Sequence, residues 1–149
     1  MKKILVIGKR GFIGNNLSSY LKKFNLVTHK SFKNLNEYKS KIDSFDYVIN
    51  TSITKRYIEE RYNQKFDNDL KISNFINNKA TYIFLSTRKV YKSKSNIKEN
   101  SKLLPKSNYA KNKLKKEKRL LKKFNNKVII LRISNVIGDK NKIKKIHNT

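Results

Sequence analysis

The 149-residue sequence predicts an α/β fold, a doubly wound parallel sheet of about five strands. Three observations carry that expectation. Short apolar runs of strand length alternate with segments of helical periodicity along the whole chain, the signature of parallel strands joined by right-handed crossovers. The first strand leads straight into a glycine-rich turn and a helix. Of only four glycines, three (Gly8, Gly11 and Gly14) fall in that turn, where a tight bend and a close ligand approach both favour the absence of a Cβ.

Ile4 to Ile7 are continuously apolar, which suits a central strand covered on both faces. Phe12, Ile13, Leu17, Tyr20, Leu21 and Phe24 then recur at helical spacing. Asn25 ends that helix, and Leu26-Val27-Thr28 reads as the second strand. Between Ser31 and Phe45 there is room for one short helix, Asn36 to Ile42, but hardly for another strand before Asp46-Tyr47-Val48-Ile49-Asn50-Thr51, whose centre is β-branched. A longer helix is expected from about Ile58 to Asn77, on Tyr62, Phe66, Leu70, Ile72, Phe75 and Ile76. Ala80 to Ser86 reads as a strand and Ser93 to Pro105 as polar loop. Asn108 is placed to cap a helix with the apolar stripe Ala110, Leu114, Leu121 and Phe124. Lys127 to Ile133 is the last strand. The basic tail from Asp139 to Thr149 has too little apolar content to fold alone, so residues 1–138 form the predicted domain.

Composition narrows the function. Without cysteine there is no disulfide framework and no thiolate chemistry. With only His29 and His147, no metal site is expected. No stretch approaches the ~18 apolar residues of a membrane span. Met1-Lys2-Lys3 leads directly into a strand, so no secretory signal is expected and the expected location is cytoplasmic. Thirty-seven basic residues stand against ten acidic ones, a net charge of +27. That balance attracts polyanions. Lysine is spread over nearly every surface segment, however, and the one dense run, Lys111 to Lys127, follows a helical pattern. Compositional drift, attraction of an anionic ligand, and nucleic-acid binding as non-specific charge attraction all remain open here.

The turn Gly8-Lys9-Arg10-Gly11-Phe12-Ile13-Gly14 has G-x-x-G-x-x-G spacing, and the following helix presents unpaired N–H groups to it, a seat for a pyrophosphate. At the end of the second strand a carboxylate would read a free ribose hydroxyl and basic residues a 2′-phosphate. The sequence has Thr28-His29-Lys30-Ser31 there, with Lys9 and Arg10 in the turn. This points to NADP rather than NAD. Tyr109 and Lys113 lie four apart on one helix and share a face. An ammonium beside a phenol favours the phenolate and brings it towards working range. Ser86-Thr87 ends the preceding strand, at the sheet edge where ligands bind in such folds.

Taken together these motifs resemble the extended short-chain dehydrogenase/reductase family, in particular its nucleotide-sugar epimerases, dehydratases and reductases. The matching residues are Gly8 to Gly14, Asp46 to Asn50, Leu85-Ser86-Thr87-Arg88-Lys89-Val90-Tyr91, Pro105 to Lys113, and Leu131-Arg132-Ile133-Ser134-Asn135-Val136-Ile137-Gly138. The resemblance implies a Rossmann-like fold whose third strand is short or missing here. It implies NAD(P)-dependent hydride transfer on a nucleotide-sugar. Thr87 would bond the reacting substrate oxygen, Tyr109 would be its general acid/base, and Lys113 would bind the nicotinamide ribose and lower the tyrosine pKa. Gly8, Arg10, Gly11, Phe12, Ile13, His29, Lys30, Asn50, Thr51 and Ser52 would line the cofactor, and Asn135 the substrate. Arg88 and Lys89 stand where the dehydratases carry an acidic pair, so dehydration is not expected. Family members continue into a smaller substrate domain; none is expected in this chain, and a homodimer or a partner chain would complete the site. A non-catalytic dinucleotide-binding module, or a remnant of such an enzyme, is the alternative.

Overall fold

The computed structural model describes residues 1–136 apart from Asn78. Ile137 and Gly138 of the last motif, His147 and the predicted tail lie outside the described residues. Five strands form one all-parallel sheet: β1 (Lys3–Ile7), β2 (Leu26–Lys30), β3 (Tyr47–Asn50), β4 (Thr81–Thr87) and β5 (Val128–Ile133), in the order β2-β1-β3-β4-β5. The chain leaves β1 for β2 on one side and returns past β1 to β3 on the other. Successive crossovers therefore part at the C-terminal ends of β1 and β3, where a parallel sheet opens a crevice. Ile7 faces Asn50 across that point. Between β2 and β3 the described chain forms no strand, as expected.

The helices are α1 (Phe12–Leu21), α2 (Leu35–Tyr38), α3 (Lys55–Glu59), α4 (Asn68–Ser73) and α5 (Asn108–Phe124). One face of the sheet buries Leu5, Ile7, Val48, Tyr82 and Phe84 against Tyr38, Ile72, Leu120 and Phe124, from α2, α4 and α5. The other face is thinner: Ile4, Val6 and Ile49 pack with Leu17 and Leu21 of α1 and with Ile83 and Leu85. Each large apolar side chain taken fully out of water contributes about 1.5–3 kcal/mol, so the first face carries most of the core. Ile129 and Leu131, on β5, stay 42% and 46% exposed.

Three expectations change. The helix expected over Ile58–Asn77 is broken. Thr54 Oγ1 accepts from Tyr57 N, Asn63 Oδ1 from Lys65 N and Asp67 Oδ1 from Leu70 N. These short side chains compete for backbone donors and start α3, a 3-10 turn and α4 separately. The cap of α5 is Ser107, whose Oγ accepts from Ala110 N, while Asn108 Nδ2 donates to the Glu59 carbonyl. The inner stripe of α5 also differs. Leu121 is 49% exposed, and Lys113, Lys116, Glu117 and Leu120 are buried beside Ala110 and Phe124. The charges go inward because α4 and β5 offer them partners.

Candidate functional site

The crevice at the β1–β3 junction is held by one side chain. Thr51 donates to the Ile7 carbonyl through both its backbone N–H and its Oγ1, each at 2.8 Å. The turn glycines pack around it. Gly8 has φ +123°, and a Cβ there would collide with Thr51 Oγ1. A Cβ on Gly14 would collide with the Gly8 carbonyl and stand 2.7 Å from Thr51 Oγ1. Gly11 is different: its φ of −84° suits any residue, and a Cβ would meet only the Gly8 oxygen, at 3.5 Å. The fold itself thus requires Gly8 and Gly14 but not Gly11, which opens α1 towards a cleft of about 430 Å³.

Gly8, Arg10, Gly11, Thr51 and Ser52 line that cleft, with Lys9, Ser31 and Lys33. Phe12, Ile13, His29, Lys30 and Asn50 are not on its lining. Lys30 contributes its carbonyl, which accepts from Gly8 N and Lys9 N. His29 is half-buried, its Nε2 has no partner among the described residues, and burial pushes the imidazole below its ordinary value, with Lys22 and Lys9 adding to the shift. It is neutral at physiological pH, so positive charge at this end comes from Lys9, Arg10 and Lys33. Asn50 is buried and acts through others. It accepts from Ser52 N and Oγ, and donates to the Ser52 carbonyl and to Asp69 Oδ1.

Thr87 ends β4, and its Oγ1 accepts from Lys89 N at the start of a 3-10 turn over Arg88–Val90. Helix α5 packs on β4 and on that turn, and it carries Tyr109 in its first turn and Lys113 one turn further on. The Lys113 ammonium is 5.9 Å from the centre of the Tyr109 ring, 4.5 Å from that of Phe84 and 3.9 Å from Asp69 Oδ2. Burial lowers the Lys113 pKa, opposed by the Asp69 charge. The Tyr109 hydroxyl is raised above its ordinary value, first by burial and then by Asp69. This corrects the sequence expectation of a lowered tyrosine: burial raises the hydroxyl, and Asp69 adds to the rise while it also faces the Lys113 ammonium. Asn135, two residues past β5, is exposed, and its side chain makes no hydrogen bond among the described residues.

The buried carboxylates escaped the sequence reading. Asp69 Oδ1 accepts from Asn50 and, at 2.6 Å, from Tyr82. Asp67 lies 2.8 Å from the Lys116 ammonium and accepts from Tyr62. Glu117 holds Arg132 through two nitrogens and accepts from Ser86, while Arg132 donates to the Tyr91 hydroxyl. The available signal was scarcity: with ten acidic residues in the chain, the run Asp67-Asn68-Asp69 stands out.

A family model described as the RmlD substrate binding domain matches residues 1–148. Among solved structures, UDP-N-acetylglucosamine 4-epimerase from Methanobrevibacter ruminantium M1, in complex with UDP-N-acetylmuramic acid, is 25% identical with a TM-score of 0.69, over 94% of this chain and 58% of that one. A dTDP-4-dehydrorhamnose reductase from Clostridium acetobutylicum is 25% identical with a TM-score of 0.67, over 98% and 58%. RMD from Pseudomonas aeruginosa complexed with NADPH, at 18% identity, shares the fold with a TM-score of 0.75, over 97% and 57%. The chain thus spans less than two thirds of the length of these proteins. No curated protein matches it.

Proposed function

Because the chain belongs to the RmlD substrate binding domain family, we propose that it is the cofactor-binding and proton-transferring part of an NAD(P)-dependent oxidoreductase or epimerase acting on a nucleotide-sugar. What supports this reading is Thr87 at the end of β4 with Tyr109 and Lys113 on the helix packed against that strand, together with the open Gly11 turn after β1. A dinucleotide would suit that turn: a Cβ at Gly11 would meet only the Gly8 oxygen, α1 starts directly after it, and Lys9, Arg10 and Lys33 line the cleft beside it. Those three cations support NADP over NAD, and the Pseudomonas neighbour was complexed with NADPH. When bound, the cofactor supplies hydride at nicotinamide C4.

The chain's own residues would supply the proton and the orientation. Thr87 Oγ would donate to the sugar oxygen, and Tyr109 would give it a proton as the carbonyl becomes an alcohol. A tyrosine raised above its ordinary value stays protonated at neutral pH and suits that acid role better than a base role. Lys113 would bind ribose hydroxyls while Asp69 balances its charge. Asn135 and a second copy or partner chain would complete the substrate side. The expected location is cytoplasmic.

Changing Tyr109 to Phe should abolish hydride transfer to a keto-sugar nucleotide and leave NADPH titration nearly unchanged. Loss of both would make Tyr109 structural. A second reading, a non-catalytic dinucleotide-binding module, is favoured by the pairing of Lys113 with Asp69. It predicts NADPH binding with no turnover under any completion of the site.

A further inference from the structure

Directly after Thr87 the chain opens a second cleft, of about 270 Å³, bounded by the Arg88–Val90 turn, the segment that follows and the start of α5. Arg88, Lys89, Lys94 and Lys106 line it, with no carboxylate. None of the four forms an ion pair among the described residues. The adjoining cleft along β5 is built differently: there Arg132 is matched by Glu117, and Glu99 lies alongside. Four like charges around one small concavity repel each other and focus their field on it, so an entering oxyanion relieves the repulsion. The walls are already fixed. Tyr91 bridges Leu103, Lys92 N donates to the Lys102 carbonyl and Leu104 N to the Val90 carbonyl, each at 2.9 Å. The Tyr91 hydroxyl donates to the Glu99 carbonyl at 3.1 Å. Ser107, the cap of the 17-residue α5, also lines the cleft, and the first turn of that helix carries no acidic residue.

We propose that this cleft holds an anionic substituent, a carboxylate or a phosphate, carried on the sugar of the substrate. The inference rests on the role given above to Thr87. Arg88 and Lys89 directly follow Thr87, with Cα atoms about 3.8 Å apart along the chain, so the cleft lies within reach of a substituent on the ring whose oxygen Thr87 would bond. The planar Arg88 guanidinium offers paired donors to an oxyanion, and the lysines add point charges.

The test compares UDP-glucuronate with UDP-glucose, which share a diphosphate and differ in one carboxylate, by calorimetry without cofactor. At about 0.15 M salt, exposed charges beyond about 8 Å are largely screened. The acidic sugar should bind about tenfold tighter or better, as expected of a charge-assisted hydrogen bond. The pair Arg88→Gln and Lys106→Gln should erase that preference. The pair Lys118→Gln and Lys122→Gln, which removes the same charge from the exposed face of α5, should keep it. Equal affinities, binding of neither sugar, or erasure by the control pair overturns the proposal. Glucuronate and glucose 6-phosphate as competitors decide which oxyanion is taken, and competition by neither overturns it too. NADPH titration of the unchanged chain is scored separately, so failure of the cofactor reading is distinguishable from failure of the anion preference.

Discussion

Alanine at each of the three turn glycines separates what the fold needs from what a ligand needs. At Gly14 helix propensity alone would favour alanine by about 1 kcal/mol. The new Cβ, however, would press on the Gly8 carbonyl, a backbone atom with nowhere to move, and stand 2.7 Å from Thr51 Oγ1. Overpacking of that kind costs about 1–3 kcal/mol, and a collision with backbone belongs at the upper end, so after the propensity gain a net loss of about 2 kcal/mol is expected. At Gly8 the collision with Thr51 Oγ1 adds to a φ of +123°, a conformation worth about 1–3 kcal/mol of strain in other residues. The expected loss is about 3 kcal/mol or more. Adding Thr51→Ala should recover only part of it, because Ser52 N at 3.1 Å and Thr51 C at 3.2 Å still crowd the site. Gly11→Ala should leave stability within about 0.5 kcal/mol and still weaken NADPH binding at least about tenfold, because its Cβ would fill the open approach. Urea denaturation and NADPH titration of the same variants measure both quantities. Gly11→Ala as destabilising as Gly14→Ala, or with unchanged NADPH affinity, would refute the reasoning.

Asp67→Asn should cost about 3–5 kcal/mol by leaving Lys116 buried without its counter-charge, and adding Lys116→Met, while the new amide keeps the oxygen that caps α4, should recover most of that loss; urea midpoints decide. Asp69→Asn keeps an oxygen for Asn50 and Tyr82 but removes the charge that raises Tyr109. Phenolate absorbance should then show Tyr109 titrating closer to its ordinary value of 10.0, and an unmoved titration would argue against Asp69 as a cause. His29 should titrate below 6.5 in the folded protein, read from its imidazole proton shifts. The unfolded chain then takes up a proton the folded one refuses, so the stability present above about 6.5 falls as pH drops through the His29 value. A midpoint at or above 6.5 would contradict its burial.

The strands were legible because β1, β3 and β4 are buried on both faces, so their apolar runs are continuous and carry no competing signal. The helix between β3 and β4 was not. Its apolar spacing is helical throughout, but Thr54, Asn63 and Asp67 each cap a separate turn, and these three local hydrogen bonds outweigh the periodicity. Tyr109, Lys113 and Thr87 were legible as motif positions, and α5, which carries the first two, packs on the strand that Thr87 ends. The sign of the Tyr109 shift was not legible, since it depends first on burial and then on Asp69, a residue forty positions away, and only folding supplies either. The inner face of α5 was hidden for the same reason. A lysine in a sequence reads as surface until a specific carboxylate meets it, as Asp67 meets Lys116.

The outer edge of β5 gives the charge of this protein a second meaning. Among the described residues no strand pairs with that edge, and Ile129 and Leu131 stand exposed beside it. An open ladder flanked by apolar side chains invites a second copy to add on. A net charge of +27 holds copies apart while the solution leaves it unscreened. Colloidal stability should therefore run opposite to habit: the protein should stay dispersed in dilute buffer and begin to self-associate as salt shortens the Debye length to a few ångströms.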